Sequence, residues 1–269
     1  MDNIISEHFS YPATNANIES YIARPKTDKR LPAVIIIHEI FGLDPHFEDV
    51  ARRFANAGYV ALAPDLFSRP NMPVSKAEIA KGMQFMMSIP VEKQRDPNAQ
   101  KEALDKLSAS DKAAVQKTME WLMHRDYTQN LNDLKSAFNW LSDQNFVNQK
   151  NIASIGFCMG GTLSGRLAAE GVPLGAAVIL YGENPPAEKI PNIKCPILGL
   201  YGGEDHRITG EVPQLENEMK KANKAFEYRI YKGAHHAFFN DTRPHHNKEA
   251  SQEAWKEIMS FFAANLNKS

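Results

Sequence analysis

Ile152-Ala153-Ser154-Ile155-Gly156-Phe157-Cys158-Met159-Gly160-Gly161 joins a short apolar run to a turn of small residues with one reactive side chain at its tip. A strand that enters such a turn and leaves as a helix has the layout of a nucleophile elbow, G-x-S-x-G, with Cys158 where serine usually sits. The glycines are a steric requirement. The turn is sharp and strained, so Gly156 and Gly160 must leave room around the tip, and Gly161 widens the start of the helix. A thiol attacks as thiolate, and the helix N-terminus that follows favours negative charge. The plain alternative is a buried cysteine acting as a small hydrophobe. It does not account for the flanking glycines.

On either side of this turn the chain alternates between buried strands and amphipathic helices. Ala33-Val34-Ile35-Ile36-Ile37 is a continuous β-branched run, the mark of a strand covered on both faces in a largely parallel sheet. His46 to Ala57 reads as a helix stopped by Gly58, and Tyr59 to Ala63 as a strand ended by Pro64. Beyond the elbow, strands are expected near 174–180, 196–201 and 226–231, and helices near 160–170, 211–224 and 247–265. Leu131, Leu134, Phe138 and Leu141 recur at helical spacing, as do Ala254, Ile258, Phe261 and Phe262. Near the N-terminus, Ile5 to Tyr11 and Ile18 to Ala23 alternate around Pro-Ala-Thr-Asn-Ala-Asn, which predicts an antiparallel hairpin. Residues 69–127 break the rhythm with Met, Lys, Gln and Ala and no strand-like run. They read as a helical insertion over the sheet, a lid or a surface excursion, with a capping box at Ser75 and Glu78 and a helix from Asp111 to His124. The expected architecture is α/β, one domain over residues 1–269.

Composition narrows the classes. The 269 residues are 43% hydrophobic and 23% charged with a formal net charge of -1, so nothing points to nucleic acid or an anionic membrane. Arg52-Arg53 and Lys220-Lys221 read as solvated helix faces. Two cysteines, Cys158 and Cys195, make no disulfide framework and no C-x-x-C metal spacing. The N-terminal MDNIISEHFSYP lacks a basic region followed by a long apolar run, so a cytoplasmic location is expected. No nucleotide loop, metal-ligand cluster or cofactor fingerprint appears, so no metal and no cofactor is expected.

A nucleophile elbow calls for an acid and then a histidine, each after a later strand. Leu198-Gly199-Leu200-Tyr201-Gly202-Gly203-Glu204-Asp205 supplies the acid, read as Asp205 with its neighbour Glu204 as the alternative. Tyr231-Lys232-Gly233-Ala234-His235-His236 supplies the histidine, and spacing does not choose between His235 and His236. His245-His246 reads as surface or pocket rim. Glu39 ends a buried strand, where a carboxylate needs a partner or a cleft.

With His38-Glu39-Ile40-Phe41-Gly42-Leu43, Ala63-Pro64-Asp65-Leu66-Phe67, Gly156-Phe157-Cys158-Met159-Gly160-Gly161, Gly203-Glu204-Asp205 and His236-Ala237-Phe238, the chain resembles the dienelactone hydrolase family. These segments run from residue 38 to 238. The resemblance implies an α/β-hydrolase fold and a triad of Cys158, Asp205 and His236, with His236 chosen because it precedes a small residue and Phe. It implies that Glu39 pairs with the resting thiol and helps to deprotonate it. The backbone N–H groups of Ile40 and Met159 would form the oxyanion hole. Arg69 and, more loosely, Arg243 match arginines that hold a substrate carboxylate. The plain alternative for each arginine is a surface salt bridge.

The reaction so implied is acyl transfer through a thioester. Thiolate leaves more readily than an ordinary alkoxide, so a substrate with a stabilised leaving group, such as an enol lactone, suits sulfur best. The expected partner is a small-molecule ester or lactone, with the chain a monomer or small homo-oligomer. A broader carboxylesterase on activated esters is the second reading. A non-catalytic thiol redox-sensing module of the same fold is the third.

Overall fold

The computed structural model describes residues 3–70, 72–90, 93–94, 96–124 and 126–266. Residues 1–2 and 267–269 of the expected domain, and positions 71, 91, 92, 95 and 125 of the expected insertion, lie outside the described residues. Among these, eight strands form one sheet in the order β1-β2-β4-β3-β5-β6-β7-β8. β1 (Ile4–Ala13) and β2 (Ala16–Pro25) form the antiparallel hairpin. Only Thr14 and Asn15 turn the chain, a tighter corner than the polar segment suggested. Asn15 takes φ +60°, a conformation asparagine tolerates better than most residues. β3 (Leu31–Ile37), β4 (Val60–Pro64), β5 (Val147–Phe157), β6 (Ala176–Leu180), β7 (Ile197–Gly202) and β8 (Phe226–Tyr231) run parallel.

Strand alternation divides the core. Ala33, Ile35 and Ile37 of β3 pack with Leu134, Leu141 and Leu163 on one face. These come from α5 (Thr128–Ser142) and α6 (Met159–Ala169). Val34 and Ile36 pack on the other face with Phe47, Phe54, Ile258 and Phe262. Those come from α1 (Pro45–Asn56) and α9 (Lys248–Leu266). Asp44 caps α1 by accepting from the His46 N–H at 3.0 Å, with Pro45 in the first turn. A short α7 (His206–Thr209) and α8 (Val212–Lys221) complete the layer beside β7 and β8.

The region 69–127 is helical: α2 (Lys76–Ser88), α3 (Pro97–Asp105) and α4 (Ala109–Met123). The capping box forms as expected, with Ser75 accepting from the Glu78 N–H at 3.2 Å and Glu78 accepting from the Ser75 N–H at 2.7 Å. α3 has no buried residue, which explains why no periodicity revealed it. Phe85, Ile89 and Val115 give this region its own small core.

β3 lies between β4 and β5, so the loops leaving β3 and β5 diverge around a crevice at their carboxyl ends. The elbow opens onto that crevice. A Cβ on Gly156 would overlap the Gly160 carbonyl, and a Cβ on Gly160 would overlap the Ile37 carbonyl. The colliding atoms are backbone, so neither can swing aside. Gly160→Ala is expected to destabilise the protein by about 3 kcal/mol or more, read from the urea midpoint.

Candidate active site

Cys158 sits between β5 and α6 with φ 55° and ψ −115°, a strained conformation for a residue with a Cβ. Its N–H donates to the Leu180 carbonyl at 3.1 Å, and its own carbonyl accepts from the Thr162 N–H at 3.1 Å. The tip is thereby pinned to β6 on one side and to α6 on the other. Both cysteines are free thiols. Cys195 is buried in the core, and burial pushes its thiol up to about 12, which leaves it unreactive.

Asp205 follows β7 and is buried, whereas its neighbour Glu204 is exposed. The His236 Nδ1 lies 2.5 Å from Asp205 Oδ2. His235 is exposed and turns its ring towards His245, with centroids 5.9 Å apart. Asp205 and His236 are thus brought together, whereas Glu204 and His235 are not part of this contact. The Tyr181 ring packs against the His236 ring with centroids 5.1 Å apart. Burial works against a charged His236, but the Cys158 sulfur, through charge and a hydrogen bond, and the hydrogen-bonded Asp205 carboxylate outweigh it. They raise its pKa to about 10.

Glu39 is buried at the end of β3. Tyr181 Oη donates to its carboxylate at 3.3 Å and Asn240 Nδ2 at 3.1 Å. Arg243 Nε stands 3.7 Å away. Burial raises the Glu39 pKa, and the charges of Arg243, His46 and His236 oppose that rise. His38, fully buried beside it, has a defined tautomer. Its Nε2 accepts the Leu66 N–H at 3.1 Å, so Nδ1 carries the proton and donates to the Glu39 carbonyl at 2.6 Å. Burial lowers the His38 pKa, in keeping with a neutral ring. That bond fixes the peptide plane between Glu39 and Ile40. In a trans peptide the Ile40 N–H points opposite to the Glu39 carbonyl. Met159 opens α6, so its N–H has no intrahelical acceptor.

Cys158, His236, Glu39, Ile40 and Arg243 line one cavity of about 380 Å³. Phe41, Met86, Met87 and Met119 give it an apolar wall, two helices of the insertion supplying the methionines. His235 and His245 stand at it as well. Arg243 is held within this wall, its Nη2 donating to Asp44 at 3.0 Å while Met83 Sδ lies 3.2 Å from Nη1.

Arg69 is elsewhere, and its expected place beside the substrate is corrected. It lines a separate groove with Phe67, Met72 and Lys117. Its guanidinium donates to the fully buried Asp133, from Nε at 2.8 Å and from Nη2 at 2.5 Å, and Nη2 also donates to the Thr14 carbonyl at 2.9 Å. A carboxylate inside the protein has taken the fork that an anionic substrate would need. Arg53 also departs from a plain solvated face, donating to Asp241 at 2.6 Å.

Tyr181 and Asn240 escaped the sequence reading. Tyr181 follows a buried strand and has φ +39°, and Asn240 follows two phenylalanines. The Asn240 oxygen serves a local turn, accepting from the Thr242 N–H at 3.1 Å, but its bond to Glu39 and that of Tyr181 join residues far apart in sequence. Among the described residues, no group of three or more His, Cys, Asp or Glu could hold a metal ion, and no helix is long and apolar enough to cross a membrane.

The pKa of His236 has a signed consequence. The unfolded ring loses its proton near 6.5, and the folded one near 10. The charged ring therefore stabilises the fold fully below about 6.5, and that contribution fades as pH rises through about 10. Cys158→Ala removes the sulfur and is expected to lower the His236 midpoint, read from ring-proton shifts by NMR. Arg69→Ala leaves Asp133 buried without its cation. It is expected to cost about 3–5 kcal/mol of stability, measured by denaturant unfolding, with turnover per folded molecule unchanged.

Comparison with known proteins identifies the family. The model of the dienelactone hydrolase family matches residues 18–266. A Saccharolobus solfataricus protein named "Putative carboxymethylenebutenolidase" is 41% identical over 254 residues, 93% of this chain and 95% of that protein. An Escherichia coli K12 protein of the same name is 31% identical over 273 residues, 97% of this chain and 88% of that protein. The crystal structure titled "Putative Dienelactone Hydrolase" from Klebsiella pneumoniae superposes with a TM-score of 0.74 at 28% identity, covering 97% of this chain and 98% of that one. The chain belongs to the dienelactone hydrolase family.

Proposed function

We propose that the protein hydrolyses an activated ester or an enol lactone through a thioester on Cys158. The observation that carries this reading is a cysteine on a strained elbow sharing one cavity with a histidine that bonds a buried aspartate.

The Cys158 thiolate attacks the substrate carbonyl, and the new oxyanion accepts hydrogen bonds from the Ile40 and Met159 N–H groups. Collapse breaks the acyl–oxygen bond. The leaving oxygen departs as alkoxide or enolate and takes the proton from His236, while the acyl carbon stays on sulfur. His236, oriented by Asp205, then removes a proton from water as it attacks the thioester. The second collapse expels the thiolate and leaves His236 protonated as it began, and the thiolate then recovers its own proton from Glu39. One water is consumed, and an acid and an alcohol or enol are formed. For a lactone both groups remain on one molecule.

Glu39 is suited to the resting enzyme. Its raised pKa makes it a better proton acceptor than an exposed carboxylate, and it faces the same cavity as the thiol. We assign it the role of taking the thiol proton before attack.

A second reading, a carboxylesterase for neutral activated esters, rests on one observation. Arg243 is already shared between Asp44 and Glu39, and methionines and Phe41 form the wall. An anionic lactone would have to compete with both carboxylates.

A hydrolysis panel pairing an anionic enol lactone with a neutral aryl ester separates these readings. Cys158→Ala is expected to lower kcat/KM by roughly 10,000-fold or more on whichever substrate turns over. Mass spectrometry of a rapidly quenched reaction is expected to show the acyl mass on Cys158. Full turnover by Cys158→Ala would end the thioester mechanism. An intact chain inert towards every acyl substrate would favour thiol sensing.

A further inference from the structure

β8 is the last strand of the sheet, and its outer edge pairs with no strand among the described residues. The parallel ladder determines which backbone groups that edge offers. The Ile197 N–H donates to the Ala225 carbonyl at 3.1 Å, and the Gly203 N–H to the Tyr231 carbonyl at 2.8 Å. The register pairs Ile197 with Phe226 and Gly199 with Tyr228. Odd-numbered residues of β8 therefore turn their N–H and C=O towards β7. Phe226, Tyr228 and Ile230 turn theirs outward.

Exposed edges are normally blunted by lysine, proline or a bulge, because they invite pairing with another chain. β8 reads Phe-Glu-Tyr-Arg-Ile-Tyr and carries none of these. Ile230 is 45% exposed, and the Phe226 and Tyr228 rings stack with centroids 5.5 Å apart. On the α9 side the strand borders an open groove of about 550 Å³ containing Glu227, Arg229, Glu257 and Ser260.

We propose that this edge pairs antiparallel with the same edge of a second copy, about a two-fold axis through Tyr228. The sequence is self-complementary in that register alone. Tyr228 meets Tyr228, Phe226 meets Ile230, and Glu227 meets Arg229 of the second copy. Centring the axis on Glu227 or Arg229 would instead set like charges against each other. The outward groups also align. Each facing pair of Tyr228 with Tyr228, and of Phe226 with Ile230, exchanges two N–H to O=C bonds, as in a hydrogen-bonded antiparallel pair. Opposite charges across a ladder stabilise it and like charges weaken it. Arg229 now leans on Glu257 of its own chain at 3.4 Å, at an exposed position from which it can reach a second carboxylate. The dimer joins two sheets into one continuous sheet. The active-site cavity shares none of the groove's lining residues.

Sedimentation equilibrium over a concentration series tests this on the full chain, with circular dichroism as the folding control. Wild type is expected to dimerise. Arg229→Glu places Glu against Glu227 twice in each dimer and is expected to weaken association by about tenfold or more. The double exchange Glu227→Arg with Arg229→Glu is expected to restore it. Tyr228→Pro removes an N–H that faces only outward, so it is expected to break the dimer and spare the β7 ladder. Ile230→Lys, at an exposed site, is a second disrupting variant that avoids proline. A wild type that stays monomeric overturns the proposal. So does a dimer indifferent to these variants, or an Arg229→Glu defect that the double exchange does not repair.

Discussion

Three backbone segments meet at the elbow without side chains between them. Gly156 lies against the Gly160 carbonyl, and Gly160 against the carbonyl of Ile37 at the end of β3. This close approach ties the two central strands to the first turn of α6. It also brings Glu39, two residues past Ile37, to the cavity that Cys158 faces. Cys158 keeps its positive φ because the groups around it allow no other path. Strain in one residue is balanced by many ordinary contacts in the strands beneath.

Charge around the cavity is arranged in two separate groups. Asp205 holds His236, and the sulfur and carboxylate together favour the charged ring. Glu39 is instead gripped by neutral donors, Tyr181 and Asn240, with Arg243 slightly farther off. The two buried acids near the cavity therefore differ in character. Asp205 orients a cation, while Glu39 sits where burial favours its protonated form. His38 adds a third element that carries no charge, fixing a peptide plane through its Nδ1–H. Its remaining nitrogen is occupied by the Leu66 N–H, so the ring has a single way to bond.

Much of this was legible in the sequence because it is written locally. Glycines at fixed offsets from Cys158, a continuous β-branched run at 33–37, and acids and histidines after later strands each follow from short-range sterics or strand burial. The features that stayed hidden are long-range. Arg69 reads as a free cation until Asp133, 64 positions away, is folded against it. Asp133 itself sits on α5 among apolar residues, where nothing in the spacing announces a buried charge. Tyr181 and Asn240 likewise bond Glu39 from far along the sequence. The pair His235-His236 could not be resolved from spacing, since Ala237 at φ +61° turns the chain in a way the letters do not encode. The family resemblance supplied that choice in advance of any geometry.

The helices α2 to α4 pack around Phe85, Ile89 and Val115 and contribute the methionine wall, while Glu39, Cys158 and His236 sit in segments that follow sheet strands. In the proposed mechanism, selectivity and chemistry are thus housed in different parts of the polypeptide. Thioether side chains are soft and conform to varied outlines. Mutations in this cap can reshape which molecules are admitted without perturbing how bonds are broken, so the scaffold is open to diversification by drift at its roof over a machinery kept constant below.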